Sequence, residues 1–342
     1  MKHGGAKEAG SVVSVSRVYE DANKERPEEH WDYDNMVLDY REKERYAVVE
    51  KIGRGKYSDV FLGVDRVGKR RCVIKVLKPV RMRKMQREVK VLSVLSGGQG
   101  VVRLFDVVKE KEEEMPSLIF EHVNNRDFRE LYPLLGASEI CLYCYRLLQT
   151  LDYAHSMGIM HRDVKPHNIM IDRAEQKVRL IDWGLADYYH PRTEYNVRVA
   201  SRYYKGPELL VDYRYYDYSL DMWSFGCTFA GMVLRVDTLF RGRDNADQLK
   251  KIVAVLGTEK LGKYLRKYRI AMTREIEELA GYSSRGRAFG SFINDSNRET
   301  ATAEALDLMS RVLCYDHQER LTAREAMEHS YFAGIHRGAS SS

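Results

Sequence analysis

No run of apolar residues approaches the ~18 needed to cross a bilayer, so no membrane span is expected. The opening residues, Met1-Lys2-His3-Gly4-Gly5, lack the apolar stretch of a secretory leader. Cysteine is sparse: Cys72, Cys141, Cys144, Cys227 and Cys314 are odd in number and scattered, which suggests a reducing, intracellular setting. Cys141 and Cys144 form a Cys-x-x-Cys, but they lie in a helix-like run from Glu139 to Ala154 with no second pair. Two core thiols are expected there, not a redox or zinc site. A strong charge of one sign is also missing. Lys and Arg number 56 against 50 Asp and Glu, a net +6 over 342 residues. That is a mixed surface with local basic patches, and no aromatic-basic motif accompanies it, so no direct nucleic-acid binding is expected. No internal repeat is present.

What is there is a large core, since 44% of the residues are hydrophobic. The length suits one two-lobed domain or two ordinary ones. Residues 1–45 read as a polar, irregular arm, although Trp31-Asp32-Tyr33 would waste apolar area unless it packs on the body. Residues 46–123 read as five strands and one helix: Tyr46 to Ile52, Val60 to Val64, Arg71 to Leu77, Val101 to Val108 and Leu118 to Val123, with Arg81 to Leu95 at helical spacing. The charged run Lys109 to Glu114 reads as a solvated hairpin loop. From 124 to 335 helices dominate, at Ser138 to Met157, Ser219 to Leu234, Asn245 to Leu256, Ala303 to Leu313 and Thr322 to Glu328. Thr322-Ala323-Arg324-Glu325 fits a capping box. Residues 257–302 read as an irregular insert and 336–342 as a flexible tail.

The chain centres on Ile159 to Met170, two apolar runs around the order His161-Arg162-Asp163-x-Lys165-x-x-Asn168. The triplet alone occurs by chance. The full spacing, followed by Leu180-Ile181-Asp182-Trp183-Gly184, points to phosphoryl transfer to a hydroxyl rather than to an idle solvated loop. These residues resemble the catalytic loop and metal-binding Asp motif of eukaryotic protein kinases, and Lys165-Pro166 resembles the serine/threonine branch. The resemblance implies a bilobal α+β fold: a first lobe of five antiparallel strands plus one helix, and a mainly helical second lobe.

It also implies roles. Asp163 would meet the hydroxyl proton, Lys165 would reach the migrating phosphoryl group, and Asn168 with Asp182 would hold Mg²⁺. Lys75 would hold the α- and β-phosphates of ATP, paired with Glu88 thirteen residues on. A part-buried lysine on an apolar strand needs such a partner. Ile52-Gly53-Arg54-Gly55-Lys56-Tyr57-Ser58-Asp59-Val60 would form the glycine loop over the phosphates, with Ser58 where a third glycine is usual. A strand follows this loop, which disfavours a dinucleotide fold. Phe120-Glu121-His122-Val123 would be the hinge, its backbone at Glu121 and Val123 meeting the purine, with Val73 and Met170 on either side of the ring.

Asp-Trp-Gly at 182–184 and Gly-Pro-Glu at 206–208 depart from the general kinase pattern. With Tyr195 to Tyr203, Phe120 to Asn125, Glu208 to Tyr213, and Asp316-His317-Gln318 with Arg320 to His329, they are similar to the catalytic subunits of the casein kinase II family. That resemblance runs from about Arg17 to Phe332. It implies a constitutively active catalytic subunit, cytoplasmic and nuclear. Its substrates would be proteins with Ser or Thr followed by acidic residues, its donor ATP or GTP, and its partner a dimer of regulatory beta subunits. Arg198, Arg202 and Lys205 would take the acidic residues, with a second basic patch at Lys78, Arg81, Arg83, Lys84, Arg87 and Lys90. Ser201 stands where the family contacts its catalytic Asp and Lys, and His30 where an aromatic is usual. Glu208–Arg320 and Asp221 would be structural supports. Val48, Phe61, Ile74, Val76 and Val108 would form the apolar face for the partner. The alternatives are a proline-directed kinase of the neighbouring group and a pseudokinase scaffold.

Overall fold

The computed structural model describes residues 10–55, 57–79, 82–109, 116–281 and 283–339. The first lobe is an antiparallel sheet of β1 (Tyr46–Arg54), β2 (Ser58–Asp65), β3 (Arg70–Leu77), β4 (Leu104–Val108) and β5 (Ser117–Glu121), in the order β1-β2-β3-β5-β4. Helix α1 (Met82–Val94) covers one face with Met85, Val89 and Leu92. Alternation along β3 assigns its side chains. Val73 and Leu77 join the α1 core, while Cys72 and Ile74 face the other way.

That other face differs from expectation. Ile74 and Val108 are 5% and 2% exposed, closed into a small cluster with Tyr46, Cys72 and Ile119. Phe61 and Phe105 pack against it, and the Arg70 guanidinium lies 3.8 Å above the Phe105 ring. The end of the arm pairs with β4, Arg41 donating its amide to the Val107 carbonyl at 2.9 Å. Of the five residues expected as an open apolar face, only Val48 and Val76 are exposed.

The second lobe holds α2 (Phe128–Leu131), α3 (Ala137–Ser156), the paired strands β7 (Ile169–Asp172) and β8 (Lys177–Leu180), and β6 (Ile159–Met160) paired with β9 (Asp187–Tyr188). Helices α4 (Pro207–Leu210), α5 (Ser219–Leu234), α6 (Asn245–Leu256), α7 (Thr258–Lys267), α8 (Arg274–Gly281), α9 (Ala303–Val312), α10 (Ala323–Met327) and α11 (Ala333–Ala339) complete it. Helix α5 is apolar all round and therefore central; Trp223, Phe225 and Phe229 are fully buried. The capping box forms: Thr322 Oγ1 accepts the Glu325 amide, and Glu325 Oε2 accepts the Thr322 amide at 2.8 Å. Among the described residues no helix is long and apolar enough to cross a membrane.

Two expectations fail here. Residues 257–302 are not irregular, because they hold α7, α8 and a 3-10 turn at Phe289–Phe292. Their core positions include Tyr264 and Tyr268, at 2% and 3% exposure, so a pattern sought in aliphatic residues passes over them. Residues 336–339 continue α11 rather than forming a tail. Of the loop Lys109 to Glu114, all but Lys109 lies outside the described residues, as do Lys56 and Arg81.

Candidate active site

The segment His161 to Asn168 joins β6 to β7 and is fixed from below by α5. Asp221, fully buried, accepts the backbone amides of His161 at 2.8 Å and Arg162 at 2.7 Å, and the His155 ring at 2.9 Å. Burial alone would raise this carboxyl; the hydrogen bond and charge of His155 override it and hold it below the usual range. These bonds sustain a left-handed backbone at Arg162 (φ 65°), a conformation non-glycine residues seldom adopt. The His161 ring contacts the Ile181 carbonyl at 3.1 Å through Nε2 and the Asp163 amide at 3.1 Å through Nδ1. A carbonyl can only accept and an amide can only donate. His161 is therefore neutral, protonated on Nε2, and burial lowers its pKa accordingly. Asn168 O accepts the Ile181 amide at 2.9 Å, so the loop and the end of β8 run side by side and Asp163 and Asp182 share one site.

Around Asp163 the side chains converge as the motif implied. Lys165 Nζ reaches Asp163 Oδ2 at 2.7 Å and Ser201 Oγ at 2.8 Å. Ser201 gives its amide and its hydroxyl to Asp163 Oδ1, at 2.8 and 2.9 Å. The preceding Ala200 is left-handed at φ 59°, which turns Ser201 inward. Asn168 Nδ2 donates to the Asp163 carbonyl at 2.9 Å and to its Oδ2 at 3.2 Å.

Across the cleft, Lys75 Nζ sits 2.6 Å from Glu88 Oε1 and 3.1 Å from Asp182 Oδ1. Burial opposes its charge, but Glu88 and then Asp182 overcome this and raise its pKa. Asp182 opens to the cleft but is flanked by protein, so desolvation works against its ionisation, and Lys75 overrides it and lowers its pKa. The helix on which Glu88 rides is thus joined through Lys75 to the Asp182-Trp183-Gly184 turn.

The remaining predicted residues are placed as follows. Val73 and Met170 are half-buried and Phe120 is buried. The Glu121 amide is engaged by the Arg103 carbonyl at 3.0 Å and the Val123 carbonyl by the Asn125 amide at 2.8 Å. The remaining backbone groups of that pair are the Glu121 carbonyl and the Val123 amide. The glycine loop is tighter than expected. Gly53 and Arg54 belong to β1, Ser58, Asp59 and Val60 to β2, and the Gly55 amide donates to the Ser58 carbonyl at 2.8 Å instead of standing free. Lys78 Nζ caps the Gly55 carbonyl at 2.7 Å. Ile52 and Tyr57 are exposed at the rim.

The basic residues divide. Arg198 and Arg202 are exposed beside Ser201. Lys205 turns back, its Nζ 2.5 Å from the Val199 carbonyl, and burial lowers its pKa. The α1 patch is largely neutralised. Arg83 forms a bidentate pair with Asp34 at 2.7 and 2.9 Å, Arg87 pairs with Asp187 at 2.9 Å, and Lys78 with Asp59 at 3.4 Å. Lys84 lies 5.6 Å over the Tyr57 ring. The carboxylates come from the arm, β9 and the start of β2, and no local pattern brings these next to the basic residues.

The arm packs along its described length, not only in its second half. Ser14 Oγ bonds the His317 ring at 2.8 Å, Ser16 N donates to the Tyr189 hydroxyl at 2.8 Å, and Asn23 Nδ2 donates to the carbonyls of Gly158 and Tyr189 at 2.8 and 2.9 Å. Trp31 meets His190 edge-on at 5.1 Å and Tyr33 stacks on Tyr188 at 6.3 Å. His30 packs edge-on to Tyr188 at 6.0 Å, with Nε2 3.0 Å from the Met157 carbonyl. Asp187, which receives both Arg87 and Arg162 (2.8 Å), is the functional residue that sequence reading passed over. No motif singles it out, since both partners are distant in the chain.

The site suits a nucleotide–metal pair. Asn168 is held by its amide nitrogen, so its oxygen is the group left to accept. Asp182 keeps its side chain 48% exposed. An amide oxygen and a carboxylate are hard donors, the small set that Mg²⁺ takes together with phosphate oxygens. Among the described residues no cluster of three or more acidic, His or Cys side chains could hold a metal by itself. Kinase domains use ATP with Mg²⁺, and the donors here fit that use. A family model described as the protein kinase domain spans residues 46–332, from the start of β1 to the turn before α11, and the chain belongs to the protein kinase family.

Proposed function

We propose that this kinase is an acidophilic serine/threonine kinase of the casein kinase II type, a catalytic subunit active without phosphorylation. It would transfer the γ-phosphate of ATP, or of GTP, to Ser or Thr followed by acidic residues. One observation carries the reading: Ser201, hydrogen-bonded to Asp163, is bracketed by two exposed arginines, Arg198 and Arg202, with no carboxylate partner among the described residues. Guanidinium groups there suit carboxylates or a phosphate on the residues after the acceptor. They give no reason to select proline.

In this reading Asp163 accepts the proton of the attacking hydroxyl, and Lys165, 2.7 Å away, steadies the transferring phosphoryl oxygens. Lys75, held by Glu88, grips the α- and β-phosphates. Asn168 and Asp182 would hold Mg²⁺, which would neutralise charge on the phosphates. The Glu121 carbonyl and Val123 amide meet the purine edge, between Val73 and Met170. A regulatory beta-subunit dimer on the first-lobe sheet is part of the same proposal, with Val48 and Val76 as its exposed apolar footing.

The test is phosphate transfer to a peptide with Ser followed by Asp and Glu, against the same peptide with Ser-Pro. Wild type should favour the acidic peptide, and Asp163→Asn should lose activity by roughly 10²–10⁴-fold. Preference for Ser-Pro, or an unchanged rate in Asp163→Asn, would overturn the reading.

A further inference from the structure

A second cleft, about 500 Å³, opens in the helical lobe among residues outside the catalytic loop and activation segment. It lies between the end of α6, the start of α7, the segment after Ser284 and the end of α9. The segment is fixed by backbone pairing. Thr258 N donates to the Ser284 carbonyl at 2.9 Å, Arg287 N to the Val255 carbonyl at 2.8 Å, and Gly286 takes a left-handed φ of 75° between them. A Cβ at Gly286 would stand 2.6 Å from the Val255 carbonyl, so the close approach requires glycine. Arg285 and Arg287 are thereby presented at the cleft with Lys260 of α7, all three exposed.

None of the three has a carboxylate partner among the described residues. The one acid that lines the cleft, Asp307, is already held by the His329 ring at 2.9 Å and Arg311 at 3.1 Å. Leu256 and Leu306, half-buried, and Phe289 supply apolar wall. Arg287 lies 4.7 Å over the Phe292 ring, and three cations without a counter-charge beside an apolar wall call for a ligand that is negative and apolar at once.

We propose that this cleft docks an acidic segment of a protein substrate that carries aliphatic or aromatic side chains, at a distance from the phosphoacceptor. The proposal rests on the acidophilic reading above for the identity of the partner. The site itself does not involve Arg198, Arg202 or the catalytic loop.

The experiment uses the full chain and a fluorescein-labelled peptide of alternating Glu and Leu, without Ser, Thr or Tyr. Anisotropy should show binding that weakens with salt and falls on the order of tenfold in the triple variant Lys260→Ala, Arg285→Ala, Arg287→Ala. The variant Arg198→Ala, Arg202→Ala should bind it as wild type does. Replacing Leu by Gln in the probe should weaken binding too. Equal binding of both probes, or displacement by heparin with no dependence on leucine, would mean a site that reads charge alone and would overturn the proposal. So would an unchanged affinity in the triple variant at wild-type Tm. In a second arm, an acidic Ser peptide is compared with and without the Glu-Leu segment appended. The segment should lower KM in wild type and not in the triple variant, with kcat and the KM of the short peptide unaffected. An equal benefit of the segment in both enzymes would sink docking alone. Failure of wild type to phosphorylate the short peptide would sink the acidophilic reading, while the anisotropy arm stands apart from it.

Discussion

Glu208 and Arg320 meet through two contacts of 2.7 Å, with neither side chain exposed. Burial would raise the Glu208 carboxyl, and Arg320 overrides it and holds it low. Further Arg320 N–H groups are also used: Nε donates to the Cys314 carbonyl, and Nη1, besides Glu208, to that of Ser219, each at 3.0 Å. The pair therefore ties the end of the activation segment to α5 and to the stretch before α10. Gly206 makes room for it, since a Cβ there would lie 2.5 Å from Glu208 Oε1. Glu208→Gln leaves a buried guanidinium without its counter-charge. The expected cost is about 3–5 kcal/mol of stability, measured by denaturant unfolding. A loss under ~1 kcal/mol, the range of exposed pairs, would show that the charges are hydrated after all.

At the scale of elements, the arm contacts both α1 and the activation segment. Asp34 takes Arg83 from α1, Tyr33 stacks on Tyr188 of β9, and Asn23 bridges the carbonyls of Gly158 and Tyr189. Gly158, at φ 77°, admits Asn23; a Cβ would fall 2.4 Å from its amide. The segment's own cation–carboxylate link, Arg162 to Asp187, is already made. Removing residues 1–35 should therefore lower kcat/KM on the order of tenfold or more, the factor that ~1.4 kcal/mol of lost positioning corresponds to. Full activity in the truncated enzyme, assayed on an acidic peptide, would contradict this role for the arm.

At the scale of the molecule, burial lowers the pKa of six histidines among the described residues: His30, His122, His161, His167, His190 and His317. In the unfolded chain each would protonate near ~6.5. As pH falls through that value the unfolded state binds more protons than the folded one, so stability decreases. The depressed carboxyls, Asp221 and Glu208 among them, act at lower pH, their contribution disappearing as pH drops through their folded values. A Tm that declines steadily from pH 7 to pH 5.5, before the carboxylates titrate, is expected in scanning calorimetry. A flat Tm over that interval would mean that these imidazoles gain compensating partners on protonation.

Local order along the chain was sufficient for α5 and α6 to their last residue, for the loop that carries Asp163, Lys165 and Asn168, and for the existence of the five first-lobe strands, though not for the start of β4 or for β6 to β9. Each of these depends on spacing between near neighbours: alternation in β3, an unbroken apolar run in α5, a fixed order of side chains in the loop. Lys75 with Glu88 came from the kinase resemblance, which a part-buried ammonium's need for a partner supported. The folded chain alone settled which charges are free. Arg83 and Arg87 look like a basic patch until Asp34 and Asp187, 49 and 100 residues away, close on them. Ile74 and Val108 look like an open apolar face until Tyr46, Cys72 and Ile119 close around them, with Phe61 and Phe105 packed against the cluster. Charge and burial are properties of surroundings, and those surroundings arrive from distant parts of the chain.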